Sequence, residues 1–287
     1  MPDDAVLRTV KLSKVYADFW GRPTVAALSD LDLDVRPGEC FGLLGPNGSG
    51  KTTTIKLLLG LIRPTRGDAF VFGRDPADLA VKHRIGYLPE ETYLYKFLTA
   101  EETLGFFGRL FRLPSALIRK RSDELISLVG LGHARRRRLG SYSKGMARRL
   151  GLAQALINDP DLVVLDEPTS GLDPLGAAEV KELIQRLKQA GKTVLLCSHL
   201  LADVEDLCDR IAILHQGKLQ ECGRVDDLLR DDDRIMVELK RGDEAALAAV
   251  KAAAGNSLIT VSPPRERLEA HFRKIIAKAA QNTEKKP

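Results

Sequence analysis

Gly45-Pro46-Asn47-Gly48-Ser49-Gly50-Lys51-Thr52 has the spacing G-x-x-x-x-G-K-[ST] of a phosphate-binding loop. Such a loop turns successive backbone N–H groups inward around phosphate oxygens. The helix that follows adds free donors and the positive end of its dipole. Side chains at Gly45, Gly48 and Gly50 would obstruct that approach. Lys51 would reach the β- and γ-phosphates and the Thr52 hydroxyl would hold Mg²⁺, with Pro46, Asn47, Ser49 and Thr53 completing the nucleotide-binding stretch. A second group of functional types follows much later. Leu162-Val163-Val164-Leu165 ends in adjacent carboxylates, Asp166-Glu167. Asp166 can hold Mg²⁺ together with Thr52, and Glu167, facing the other side of the chain, can take a proton from water attacking a γ-phosphate. His199, after the apolar run Val194 to Cys197, is placed to hydrogen-bond that phosphate or that water.

These residues need a sheet to hold them. Cys40 to Leu44 reads as a buried strand before the loop, and Ile55, Leu58, Leu59 and Ile62 repeat at helical spacing after it. Four consecutive apolar residues at Leu162 to Leu165 predict a strand buried on both faces, as inside a parallel sheet. Its carboxyl end, and that of Thr193 to Cys197, is where open α/β sheets bind ligands. Residues 6 to 36 alternate instead, predicting short antiparallel strands broken at Gly21-Arg22-Pro23 and Arg36-Pro37-Gly38. Tyr16 falls at the end of one of them, and its position suits a base-stacking aromatic and a half-buried strand residue equally. From residue 99 to 157 the pattern is helical. Thr99 and Glu102 form a capping box before Leu104, Phe107, Leu110 and Phe111, and a second helix is predicted from Ser115 to Val129. Crossover units follow: a helix over 174–190, a strand over 193–197, a helix over 200–207, and a strand over 210–214 turned back at Gly217. Beyond an acidic Asp231 to Asp233 linker, strands at 235–239 and 258–261 and helices at 243–254 and 265–280 are predicted, with no recognisable chemistry.

Composition bounds the class. The chain has 287 residues, 44% hydrophobic and 29% charged, as in an ordinary soluble protein with ample core. No apolar run reaches the roughly 18 residues of a membrane span. Met1 to Asp4 has no secretory h-region. Four cysteines without C-x-x-C spacing fit a reduced cytoplasmic protein with buried thiols. The net charge of +5 is uneven, densest at Arg135 to Arg138. Without interleaved aromatics that run reads as a solvated or partner-facing patch, and no nucleic-acid partner is expected.

Ser141-Tyr142-Ser143-Lys144-Gly145-Met146 opens another helix. A serine hydroxyl and bare N–H groups at a helix start can bind a second anion, although taken alone the stretch is an ordinary serine cap. In this order the motifs resemble those of the nucleotide-binding subunit of ABC transporters, of the bacterial export type, over about residues 5 to 230. Gly45 to Thr52 resembles Walker A, Leu162 to Glu167 Walker B, and Tyr142 to Met146 the LSGGQ signature. Ser170-Gly171-Leu172-Asp173 resembles the D-loop, His199 the switch histidine, and Tyr16 the adenine-stacking aromatic.

The resemblance implies an α/β fold of the P-loop NTPase type with a mostly parallel core sheet. An N-terminal antiparallel β subdomain, a helical insertion (about 91–157) and a small α+β C-terminal appendage (231–287) would complete it. It also implies ATP and Mg²⁺, hydrolysis by Glu167 with His199 and Lys51, and a head-to-tail dimer, homodimeric or with a paired ATPase subunit. In that dimer Ser143, Gly145 and Asp173 would meet nucleotide held by the other copy. A membrane-spanning permease partner would hold the protein at the inner face of the cell membrane, docked on the insertion near Tyr93 to Phe111. Two departures stand out: Glu90 where the family usually has the Q-loop glutamine, still able to contact Mg²⁺, and Lys144 and Met146 within the signature. The rival reading is a non-transport ABC ATPase acting on nucleic acid or ribosomes, disfavoured by a single nucleotide domain and a short insertion. A regulatory module without turnover is disfavoured by Glu167 and His199.

Overall fold

The computed structural model describes residues 5–20, 22–230, 236–239 and 258–262, with positions 271 and 275; the helices predicted over 243–254 and 265–280 lie essentially outside these residues. The chain divides into two compact units, Met1–Cys222 and Gly223–Pro287.

The first unit begins with two long strands, β1 (Leu7–Ala17) and β2 (Pro23–Val35), rather than a series of short ones. Pairing survives because the irregularities are absorbed as bulges: Lys11 (φ 44°) and Asp30 (φ 48°) take left-handed backbone at the register shifts. The Ser13 hydroxyl spans them, donating to Lys11 O at 3.2 Å and accepting from Asp30 N at 2.9 Å. With β4 (Arg66–Val71) they make an antiparallel sheet ordered β2-β1-β4.

β3 (Cys40–Leu44) leads into the phosphate loop and α1 (Lys51–Leu58). After the short α2 (Leu79–Lys82) come β5 (Ile85–Leu88) and the insertion helices α3 (Ala100–Leu110) and α4 (Ser115–Leu128). The capping box at Thr99 and Glu102 is formed in both directions. α5 (Lys144–Ala155), β6 (Leu162–Asp166), α6 (Pro174–Gln189), β7 (Thr193–Ser198), α7 (Leu201–Leu207), β8 (Arg210–His215) and β9 (Lys218–Arg224) follow. The second sheet runs β5-β6-β7-β3-β8-β9, with its first five strands parallel. Every residue of β3, β6 and β7 is buried, as continuous apolar runs between helix layers require. Ile55, Leu57 and Leu58 of α1 join one core cluster with Leu7 and Leu12 of β1, Leu28 and Leu31 of β2, and Phe41 and Leu43 of β3. That cluster ties the helix behind the loop to both sheets.

In the second unit α8 (Val225–Leu228) is followed by β10 (Met236–Leu239) and β11 (Leu258–Ser262), an antiparallel pair near the predicted strands. Among the described residues no helix is long and apolar enough to cross a membrane.

Candidate nucleotide-binding site

Parallel strands put their carboxyl ends on one edge. Leu44 is level with Ser198, and Asp166 with Cys197, so the phosphate loop, the Asp166-Glu167 pair and His199 emerge side by side. A cleft of about 750 Å³ opens there. It is lined by Asn47 to Thr53 of the loop and α1, by Glu90, Asp166, Glu167 and His199, and by Tyr16 from the antiparallel sheet. Tyr16 is 37% exposed, with Val25, Ala26 and Ala27 beside it. It is thus a partly exposed strand residue that lines the cleft.

The loop is shaped for an anion. A Cβ on Gly45 would lie 2.3 Å from Ser49 Oγ and 2.4 Å from Leu214 O. A Cβ on Gly50 (φ 106°) would lie 2.7 Å from Ala27 O. Both positions accept only glycine. Lys51 is buried, and its Nζ donates to Gly45 O at 2.7 Å and Pro46 O at 3.3 Å, so the ammonium arches over the loop. Ser49 Oγ is buried with no hydrogen-bond partner among the described residues. A loop closed to side chains at Gly45 and Gly50, with open space at Gly48 (φ 79°), one ammonium and a spare hydroxyl, fits a nucleotide polyphosphate.

Glu167 sits on strained backbone at φ 50°. Its N–H donates to Cys197 O at 2.8 Å, and its carboxylate meets His199 Nδ1 at 2.7 Å. The pair therefore reaches the cleft as one hydrogen-bonded unit. Burial pushes the Asp166 carboxyl up to about 6, helped by the charges of Glu167 and Glu90; Lys51 and Arg148 oppose the rise. A divalent cation would relieve that repulsion. Among the described residues no three His, Cys, Asp or Glu side chains form a metal cage of their own. Mg²⁺ needs none when phosphate oxygens and water complete its shell, and Thr52, Asp166 and Glu90 all bring side-chain oxygens to the lining of the cleft.

Ser143, Gly145 and Asp173 do not line this cleft. Ser143 caps α5, its Oγ accepting from Met146 N at 3.2 Å, and it is exposed. A Cβ on Gly145 would meet nothing within 4 Å. Lys144 lies against the Ser170 to Asp173 turn, its Nζ 2.0 Å from where a Gly171 Cβ would be. The Arg135 to Arg138 run is partly neutralised: Arg135 pairs with Glu101 at 3.0 Å and with Asp123.

Two residues at the cleft escaped the sequence reading. Gln216 (φ 48°) precedes Gly217 (φ 73°) in the β8–β9 turn, whose Gly217 N–H donates to Ser49 O at 3.0 Å. Arg148 is buried behind Asp166 and Glu167 and bonds their carbonyls. Its signal was present: a charge in line with Leu152 and Ala155 on the buried stripe of α5.

The fold and this cleft define a nucleotide-binding α/β protein of the phosphate-loop type. Residues 28–170 match the model of the family described as ABC transporter. An uncharacterised ABC transporter ATP-binding protein of Synechocystis sp. is 46% identical over 270 residues, covering 93% of this chain and 74% of that protein. The Nod factor export ATP-binding protein I of Cupriavidus pinatubonensis is 39% identical over 242 residues, covering 84% of this chain and 73% of the relative. A solved ATP-binding subunit of an ABC transporter superposes with a TM-score of 0.71 at 28% identity, over 94% of this chain and 99% of that one. A dimeric ATP-binding cassette in a post-hydrolysis state with ADP and phosphate gives 0.68 at 25% identity, over 76% and 98%. The chain belongs to the ATP-binding proteins of the ABC transporter family.

Proposed function

We propose that the chain hydrolyses ATP to drive a bacterial exporter, working as a head-to-tail dimer beneath a membrane-spanning permease. The observation that carries this reading is the Glu167 carboxylate, beside the phosphate loop and hydrogen-bonded to His199 Nδ1 at 2.7 Å. Tyr16 stacks on adenine, with the loop amides from Gly45 to Thr53 and Lys51 on the β- and γ-phosphates. Thr52, Asp166 and Glu90 hold Mg²⁺, which when bound neutralises charge on the phosphates. Water attacks the γ-phosphorus, the bond to the β-phosphate oxygen breaks, ADP leaves with the electron pair, and Glu167 takes the water's proton. His199 orients that carboxylate and touches the γ-phosphate.

The domain responsible spans residues 5–230, with 231–287 an appendage. Ser143, Gly145 and Asp173 serve nucleotide bound by a second copy, since they stand outside the cleft of their own chain. A relative named for Nod factor export supports the direction of transport. The permease docks on the exposed aromatics Tyr93, Tyr95 and Phe97, which are 80%, 51% and 67% exposed, and so keeps the protein on the cytoplasmic face of the membrane.

Glu167→Gln is the test. Steady-state ATP turnover should fall by about 10²-fold or more, as loss of a general base requires, with an ATP-bound dimer accumulating by size exclusion. Wild-type turnover in that variant would refute the assignment. Tyr95→Asp with Phe97→Asp should weaken co-purification with the permease and leave ATP turnover of the isolated chain unchanged.

A further inference from the structure

Arg148 is a buried arginine with no carboxylate in hydrogen-bond contact, yet its guanidinium is fully used. Nε donates to Pro168 O at 2.9 Å, and Nη2 to Asp166 O at 2.6 Å and Glu167 O at 2.8 Å. Three consecutive carbonyls, from the last residue of β6 and the two that follow it, thus hang on one planar group. Nη1 faces the other way and donates to Pro89 O, to Glu90 O at 2.9 Å and to Thr92 Oγ1 at 3.1 Å. The five N–H groups meet six acceptors in two chain segments that are far apart in sequence. One segment carries Glu90 and the other carries Asp166 and Glu167.

Two further facts give this contact consequence. Glu167 occupies left-handed backbone at φ 50°, a conformation that persists only where its surroundings over-determine it. Its N–H is fixed by Cys197 and its carbonyl by Arg148. The helix that carries Arg148 is itself seated without slack. A Cβ on Gly86 would lie 2.1 Å from Ala155 O, and one on Gly151 would lie 2.6 Å from Thr92 Cγ2. α5 therefore packs closely against β5 and against Thr92, two residues beyond Glu90.

We propose that Arg148 is the positioning residue of this site, holding Glu90 and Glu167 in one fixed relation through their backbone carbonyls. It does not line the cleft itself; it sets where the two carboxylates stand. The five fixed donors of a guanidinium suit this task, and the point charge of a lysine does not. The inference rests on the catalytic reading of Glu167 given above.

The test uses the full chain with Arg148→Lys, which keeps the charge, and Arg148→Gln, which keeps planar donors, beside Glu90→Gln, the double variant Arg148→Lys/Glu90→Gln, and Glu167→Gln. In Arg148→Lys, kcat should fall by about 10²-fold, the scale of an ångström-sized misplacement of a reacting group. The Kd for a non-hydrolysable ATP analogue should stay within about threefold, because loss of an interaction made only in the transition state leaves ground-state binding alone. Arg148→Gln should lie between Arg148→Lys and the wild type. The kcat losses of Arg148→Lys and Glu90→Gln should combine to less than their product, as groups in one network do. Wild-type kcat in Arg148→Lys, a parallel loss of affinity and kcat, or strictly multiplicative effects with Glu90→Gln would each overturn the proposal. Wild-type turnover in Glu167→Gln alone would instead remove the general-base reading on which it rests.

Discussion

The phosphate loop and the start of α5, the two stretches proposed to meet nucleotide phosphate, are built in opposite ways. The phosphate loop is enclosed: Gly45 and Gly50 have backbone or side-chain atoms where a Cβ would go, Lys51 is buried, and Gly217 N–H ties Ser49 to the β8–β9 turn. The start of α5 is open: Ser143 is exposed, Gly145 has free space around it, and its one described cap bond is local. A loop that binds phosphate by itself must be pre-organised within its own core. A stretch that completes another molecule's site must instead stay accessible. The contrast makes the two halves separable by mutation.

The largest effect should come from the enclosed half. Lys51→Ala removes the only ammonium over the loop among the residues that line the cleft. Charge-assisted bonds are worth about 1.5–3 kcal/mol each, so losing the two to the β- and γ-phosphates should drop ATP affinity, measured by fluorescence titration, about 10²–10⁴-fold. Unchanged affinity would place the triphosphate elsewhere.

Gly145→Asp should come next and act differently. Open space admits the side chain, so folding and ATP affinity of the isolated chain should match the wild type. Turnover should fall about 10²-fold, because in the proposed dimer the new carboxylate would meet the partner's phosphate and like charges repel. If turnover survives, the open half has no part in hydrolysis and the comparison collapses.

Much of this division was legible in the residues themselves. The continuous apolar runs at Cys40 to Leu44, Leu162 to Leu165 and Val194 to Cys197 gave buried parallel strands, because a strand covered on both faces has no polar side to alternate. The capping box at Thr99 is local chemistry, and it formed as written. What stayed hidden depends on distance in sequence. The bulges at Lys11 and Asp30 keep β1 and β2 continuous where alternation breaks, and only pairing reveals them. Arg148 reads as one more basic residue after the signature until Pro89, Glu90, Asp166 and Glu167 are folded around it. Gln216 enters the cleft because both turn residues take positive φ, which a Gln-Gly pair only hints at.

A third test weighs stability against binding in the enclosed half. Asp166 ionises at its ordinary 3.8 when unfolded and at about 6 in the fold, so between those values the folded chain holds more protons. That group therefore subtracts stability as pH rises through this window, and the cost is complete above it. Asp166→Asn removes the cost. At pH 7 without nucleotide or divalent cation, the variant should be more stable by about 3 kcal/mol, the gap between those two values at about 1.4 kcal/mol per pH unit. At about 2–4 °C per kcal/mol, calorimetry will resolve it. The Tm difference should vanish near pH 4 and open toward pH 6. A less stable variant would mean that Asp166 carries a structural bond beyond its charge.

The smallest effect is the most discriminating for the open half, because Ser143 has one structural duty and one proposed functional duty. Its hydroxyl caps α5 by accepting from Met146 N. Ser143→Ala loses that cap, at about 1 kcal/mol, whereas Ser143→Asp caps as well as serine and adds favourable charge at a helix N-terminus. Thermal stability should therefore rank wild type and Asp together, with Ala about 2–4 °C lower. Turnover should rank the other way: Ala keeps bare N–H groups open to phosphate, and Asp fills them with its own carboxylate. A purely structural Ser143 would make the two rankings agree, with Ala worst in both. Opposite rankings would assign the start of α5 to a phosphate that its own chain does not hold.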